Sequence, residues 1–268
     1  MIVQINDPED PRITPYLRVK ERDLAGRRGE FIAEGEVVLR VLLGPASRCR
    51  ARSLLIAEGR LERLAPMIEG LDTDVPVYAA SQGVMDAAVG FHIHRGILAH
   101  GARPDDPGPA ATLAALGPRA LILALFGVSN HDNIGGIFRN AAAFGVDAVI
   151  LDGACCDPLY RKAIRVSVGA TLAVPFTRLS LGEDALEVLE RAGFEVLALS
   201  PTAETQLSGA RRSDRTALLL GAEGPGLPSE ILRRSRTFGV EMAPGWDSLN
   251  VGAASAIALY ELTRRTMS

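Results

Sequence analysis

Five polar side chains combine reactive type with a telling setting: Asn133, Arg139, Glu223, Ser248 and Asn250. Arg139 lies in the stretch "VSNHDNIGGIFRNAAAFGVDAVIL", where Ile134, Ile137, Phe138, Ala141 and Phe144 keep helical spacing and predict a core-facing stripe. Arg139 falls off that stripe, on the side of Gly135 and Ala142. A guanidinium flanked by small residues is open to a ligand or a partner chain. The plainer alternative is a surface arginine in an exposed ion pair of little energetic weight. Asn133 is placed to cap the same helix by accepting from its first free amides. Glu223 stands inside "LLLGAEGPGLPSEIL", a glycine-rich turn between a strand and a helix. Such turns commonly hold phosphate. This one lacks the Lys-Ser/Thr of a phosphate loop, does not fit Gly-x-Gly-x-x-Gly, and carries a carboxylate that would repel phosphate. It suits a ligand that brings donors or positive charge and needs backbone close by, although Gly-Pro-Gly is also ordinary turn chemistry. Ser248 and Asn250 can cap the closing helix. That helix begins with Gly252, Ala253, Ala254, Ser255 and Ala256, a surface bare enough for close helix approach, as tight packing between subunits needs.

These residues need a frame that brings distant loops together, and the pattern supplies one. Short strands at 30–33, 53–57, 75–78 and 96–100 alternate with helical stretches at 36–43, 61–68 and 82–89, which predicts an α/β layer structure. A segment rich in Pro and Gly follows, and the alternation resumes. Strands are predicted at 120–126, 148–151, 172–176, 195–199, 217–220 and 238–242. Helices are predicted at 133–144, 159–168, 185–191 and 229–234, with one more closing the chain. Wholly apolar strands such as "ALILALF" suit a parallel sheet buried on both faces. In such sheets ligands gather at the carboxyl ends of the strands, where the Arg139, Glu223 and Asn250 stretches fall. The domains expected are 1–102 and 119–268, joined by a linker over 103–118.

The 268 residues suffice for two domains of ordinary size, and 47% hydrophobic with 23% charged residues is a globular composition. A net charge of −3 and a pI near 5.9 argue against a non-specific nucleic-acid binder, which is usually basic throughout. Positive charge is nevertheless clustered. Arg18, Lys20, Arg22, Arg27 and Arg28 crowd one stretch, diluted by Glu21, Asp23 and Glu30, and Arg48, Arg50 and Arg52 alternate in another. The longest apolar run, 120–128, is too short for a bilayer, so no membrane association is expected. The N-terminus has neither a basic start nor an apolar signal core, and a cytoplasmic protein is expected. Cys49, Cys155 and Cys156 show no ligand spacing and read as buried thiols. His92 and His94 alternate on a possible strand with no neighbour in sequence to complete a zinc set, so no metal is expected.

In this order, the three loops resemble those of the SpoU family of RNA ribose methyltransferases, within the knotted SPOUT superfamily. Asn133, Gly135 and Arg139 followed by Phe144-Gly145 match its first motif. Gly221-Ala222-Glu223-Gly224-Pro225-Gly226 matches its second, and Ser248-Leu249-Asn250-Val251 its third. "RVSVGA" at 165–170 resembles a further segment. The N-terminal half is similar to the family's extra domain, itself like a small ribosomal protein that binds kinked RNA, through "FIAEG" at 31–35 and "HRGILA" at 94–99. His131 stands where the family usually has proline, Glu241 replaces a proline, and the glycine of "APGWD" is displaced by one place.

The resemblance implies an α/β chain with a trefoil-knotted parallel sheet as its C-terminal domain and a smaller N-terminal α/β RNA-binding domain. It implies methyl transfer from S-adenosylmethionine to a ribose 2′-hydroxyl of ribosomal or transfer RNA, by a homodimer formed through the knotted domain. Gly221, Ala222, Glu223, Gly226, Val240, Met242, Leu249 and Asn250 would bind the cofactor. Arg139, Asn133, Glu223, Ser248 and Asn250 would carry catalysis, with Arg139 binding RNA phosphate and stabilising the developing alkoxide. Alternatives are a non-catalytic dimeric RNA-binding protein that keeps the knot, a nucleotide-binding enzyme using 221–226 for phosphate, and methylation of a base.

Overall fold

The computed structural model describes residues 2–17 and 29–264, so the early basic stretch from Arg18 to Arg28 lies outside the described residues. The chain divides into two compact units. One comprises Met1–Pro104 with Asp157–Ala173, the other Asp105–Cys156 with Val174–Ser268.

The first unit is built on a five-stranded sheet in the order β1-β4-β3-β5-β2. Its strands are β1 (Ile2–Ile5), β2 (Glu30–Glu34), β3 (Arg50–Ala57), β4 (Val77–Ala80) and β5 (Ile97–Ala102). β1, β4 and β3 run parallel, whereas β5 is antiparallel to both β3 and β2. Helices Glu36–Leu42, Leu61–Glu69 and Gln82–Val89 fall close to their expected places. β1 was not expected. Four residues carry too little pattern, and its order comes from a ladder with β4. Ile5, Ile13, Tyr16, Leu55, Met85 and Ile93 build a core under it, and the buried Tyr16 hydroxyl finds Ser53 Oγ at 2.8 Å. The β3–β5 register shifts between Ala51 and Ser53, leaving Arg52 as the extra residue of a bulge. His92 and His94 stack edge to face, and the Asp86 carboxylate meets His92 Nδ1 at 2.6 Å, a partner that sequence spacing did not suggest. The Ile93 amide, followed by His92, holds Asp86 down at a pKa of about 2.

The second unit holds β6 (Ala120–Phe126), β7 (Ala148–Leu151), β8 (Phe176–Arg178), β9 (Glu195–Leu199), β10 (Arg215–Gly221) and β11 (Arg236–Phe238). Every pairing is parallel, in the order β11-β9-β10-β6-β7-β8. β6 is buried at each residue because the sheet is covered on both faces. On one face Ile122, Ala124 and Phe126 meet Leu113, Leu186 and Leu189, the first of these from helix Pro109–Ala114 inside the expected linker. Chain order runs β6-β7-β8 one way from the centre and places β10 on the other side of β6. The carboxyl ends of β6 and β10 therefore flank a switch point, the place where such sheets bind ligands.

Two expected strands are corrected. Residues 172–176 begin as helix Ala170–Ala173, and β8 starts only at Phe176. Val168 and Gly169 adopt positive φ (56° and 88°), breaking the preceding helix and starting a new turn that Pro175 ends. The strand expected at 238–242 is Arg236–Phe238. Past Phe238 the chain turns away, Gly239 N–H donating to the Thr205 carbonyl and its own carbonyl accepting from Leu207 N–H.

Arg215 locks this unit's layers. Its guanidinium donates to the carbonyls of Leu113, Leu116, Gly117 and Ala192 and lies 4.3 Å from the Phe194 ring centroid. A lysine cannot reproduce that fork. Arg215→Lys is expected to cost about 2 kcal/mol in thermal or denaturant unfolding, with cofactor affinity retained.

Candidate active site

The loops leaving β9, β10 and β11 and the start of the closing helix surround a cavity of about 550 Å³. The turn 221–226 forms one wall. Gly226 N–H donates to the Ala222 carbonyl at 3.0 Å, and Gly224 and Gly226 take positive φ. A Cβ on Gly221 would lie 2.2 Å from the Gly226 carbonyl carbon, so only glycine lets the turn fold back on itself. Gly221→Ala is expected to weaken cofactor binding about tenfold and to lower stability by about 2 kcal/mol, readable by calorimetry and thermal melting. Val240, Met242, Ser248 and Leu249 close the opposite wall. Leu199, Leu220, Leu227 and Leu232 add apolar surface, and among the described residues no Lys, Arg or His lines the cavity.

Asn250 organises the mouth. Its Oδ1 accepts from the amides of Gly252 and Ala253 and caps helix Val251–Thr263. Its Nδ2 donates to Glu223 Oε1 at 2.6 Å and to Asn133 Oδ1 at 2.9 Å. One carboxamide thus ties together all three motifs. Ser248 lines the cavity, but Asn250 alone caps the helix. Asn133 does not cap its helix either. The helix is His131–Ala143, and Asn130 caps it by accepting from Asp132 N–H at 2.8 Å. Asn133 sits buried within the first turn, its side chain committed to Asn250.

Upstream, Asp152 Oδ2 accepts from Gly127 N–H at 2.9 Å and fixes the turn out of β6 that leads to this helix. Asn140, two turns beyond Asn133 on the same face, donates to the Gly252 carbonyl at 2.8 Å and to Ser255 Oγ at 2.9 Å. Two of the small residues of the closing helix, Gly252 and Ser255, are used within the chain, where they receive the first-motif helix. Ile257 and Tyr260 remain exposed, the Tyr260 ring lying edge to face on Phe144 at the end of the first-motif helix.

All eight expected cofactor residues, Gly221, Ala222, Glu223, Gly226, Val240, Met242, Leu249 and Asn250, line the cavity. Arg139 does not. It is exposed and, among the described residues, makes no hydrogen bond or ion pair. Sequence reasoning missed Leu199, Ser200, Pro201 and Thr202 on the cavity wall. The carboxyl-end rule applied to β9 would have found them. It also missed Asn140, whose helical register with Asn133 was available. Cys49 and Cys155 are buried, and desolvation pushes their thiols up to about 11 and about 12, which leaves them protonated and unreactive at neutral pH. Among the described residues, no three His, Cys, Asp or Glu side chains are grouped to hold a metal ion, and no helix is long and apolar enough to cross a membrane.

The SpoU rRNA methylase family model matches residues 120–260, more than half of the chain. The chain belongs to this family. It is therefore an S-adenosylmethionine-dependent RNA methyltransferase. An uncharacterized tRNA/rRNA methyltransferase of Mycobacterium tuberculosis is 39% identical over 98% of this chain and 92% of its own length. The 23S rRNA (guanosine-2′-O-)-methyltransferase of Salmonella typhimurium is 30% identical over 81% of this chain and 91% of its own. An rRNA methyltransferase from Sinorhizobium meliloti, solved with S-adenosylmethionine bound, superposes with a TM-score of 0.80 at 23% identity, covering 100% of this chain and 99% of that one. The last likeness establishes the fold.

Proposed function

We propose that this SpoU-family enzyme methylates a ribose 2′-hydroxyl in ribosomal or transfer RNA, working in the cytoplasm. The observation that carries the reading is the Asn133–Asn250–Glu223 chain, which holds three separated motifs at the mouth of one cavity. The relative that methylates guanosine 2′-O in 23S rRNA supports it, with 91% of its length matched. The cavity also suits the cofactor. Its apolar walls, exposed turn backbone and the Glu223 carboxylate fit an amphipathic cation, and the lack of a basic lining residue among the described residues disfavours a nucleoside triphosphate.

Bound S-adenosylmethionine would supply a methyl group already activated on a sulfonium. The task left to the residues is alignment, which can remove much of a barrier. Gly221, Ala222, Gly226, Val240, Met242 and Leu249 would grip the cofactor through backbone and apolar contact. Ser248 and Asn250 would orient the ribose, and Asn133 would hold Asn250 in place. Arg139 stays protonated in almost any setting, so its role is to bind an RNA phosphate and stabilise alkoxide charge rather than to act as a base.

The proposal includes a trefoil knot formed by the turns 221–226 and 243–250, and a homodimer through the knotted domain. Exposed Trp246, Ile257 and Tyr260 are apolar surface such a dimer would cover. The first unit would bind RNA through the segments 31–35 and 94–99. These are neighbours: Gly35 N–H donates to the Ile97 carbonyl, and a Cβ on Gly35 would meet Arg95 Nη1 at 2.8 Å. The test is nucleoside mass spectrometry after transfer of labelled methyl groups to RNA. The label is expected in 2′-O-methylnucleosides. Label on a base would replace ribose chemistry with base methylation, and no label at all would favour a non-catalytic RNA-binding dimer.

A further inference from the structure

The first unit carries a cleft apart from the segments 31–35 and 94–99. It measures about 500 Å³ and lies at the amino end of β3, between the ends of helices Glu36–Leu42 and Leu61–Glu69. Leu42, Leu43, Met67, Leu71 and Val75 give it an apolar lining, and Arg40, Arg50 and Asp72 give it charge. This is the end of the sheet away from Gly35 and Arg95, because Arg50 pairs with Ala102 at one end of the β3–β5 ladder and Ile56 pairs with Ile97, whose carbonyl also takes the Gly35 N–H, at the other.

Arg48 and Arg52 flank Arg50 at two-residue intervals, and all three are exposed. Arg48 and Arg52 make no hydrogen bond or ion pair among the described side chains, while Arg50 reaches Asp74 only at 3.7 Å on open surface. An ion pair that exposed is weak, and an incoming anion can displace it. Arg40 is held by Glu36 at 3.0 Å. The backbone here is fixed in advance. Arg48 N–H donates to the Leu172 carbonyl at 2.9 Å, and the bulge at Arg52 turns that residue outward while Ser53 is buried. Two unpaired guanidiniums and a weakly paired one, on the chain segment that enters a cleft of mixed apolar and polar lining with the Asp72 carboxylate, meet the needs of an unpaired nucleotide: charge for its phosphates, apolar surface for its base and a carboxylate for an exocyclic amine. The volume lies within the range of small-ligand clefts.

We propose that this cleft is a second RNA-contact site, which takes one nucleotide of a single-stranded segment, with the adjoining phosphates on Arg48, Arg50 and Arg52. The inference rests on the RNA-methyltransferase reading and adds a separate contact to it. It is tested on the full chain by fluorescence anisotropy with short oligo(C) and oligo(U) RNAs across a range of salt. The triple variant Arg48→Ala, Arg50→Ala, Arg52→Ala is expected to bind oligo(C) about 30-fold more weakly, with a salt slope shallower by about 2. Its affinity for S-adenosylmethionine is expected to match wild type. The corresponding triple lysine variant should keep most of the slope, which separates lost charge from lost fold. Oligo(C), which offers an amine where oligo(U) offers an oxygen, is expected to bind about tenfold more tightly, and Asp72→Asn should reduce that preference. A triple alanine variant with wild-type affinity and slope overturns the proposal, as does equal binding of the two oligonucleotides. A chain that binds no S-adenosylmethionine and transfers no methyl group would instead overturn the functional reading itself.

Discussion

Asn250→Ser is expected to reduce methyl transfer about 100-fold while costing only about 1 kcal/mol of stability. Serine caps a helix about as well as asparagine, so the amides of Gly252 and Ala253 keep an acceptor. What disappears is the Nδ2 donor to Glu223 and Asn133. The buried Asn133 Oδ1 then loses its partner, which accounts for the stability cost, and Glu223 is no longer held against the third motif. Asn250→Ala removes the cap as well and should cost about 1 kcal/mol more, with no further loss of turnover. The pair separates the two jobs of one side chain. Turnover that falls in step with thermal stability across both variants would reduce Asn250 to a cap.

Arg139→Ala should lower turnover about 1000-fold, with cofactor affinity and thermal midpoint close to wild type. The dissociation of effects follows from its position. Arg139 lies outside the cavity lining, is exposed and, among the described residues, makes no hydrogen bond or ion pair whose loss would destabilise the fold. In the proposed mechanism its charge meets an RNA phosphate. Arg139→Lys should recover part of the activity, since a point charge persists but the bidentate fork does not. Near-normal turnover in the alanine variant would remove Arg139 from the mechanism. Loss of S-adenosylmethionine binding would assign it to the cofactor site instead.

Much of this site was legible in the sequence because its loops are punctuated by residues with few other uses. The turn at 221–226 needs glycine where a Cβ would strike backbone, and a carboxylate inside it already argued against phosphate. The parallel sheet was legible from apolar strands such as β6, which is buried at every position. Other features depend on contacts between distant residues. Asn133 and Asn250 are both plausible caps by type, and only the fold shows that Asn130 takes one of those places while Asn133 bonds across the site. The helix at Ala170–Ala173 replaced an expected strand because left-handed backbone at Val168 and Gly169 overrides the local apolar pattern. The bare helix suggested an approaching subunit, yet Gly252 and Ser255 meet Asn140 of the same chain. Small residues announce close packing without naming the partner.

The walls around Gly221, Glu223, Met242 and Asn250 are proposed to form a pocket for a sulfonium nucleoside and not for a phosphorylated one. Calorimetric titration of S-adenosylmethionine into the wild-type chain, alone and with excess ATP, measures this. One saturable site per chain, with an affinity that ATP leaves unchanged, is the result expected. No binding of S-adenosylmethionine, or its displacement by ATP, would contradict a sulfonium pocket there.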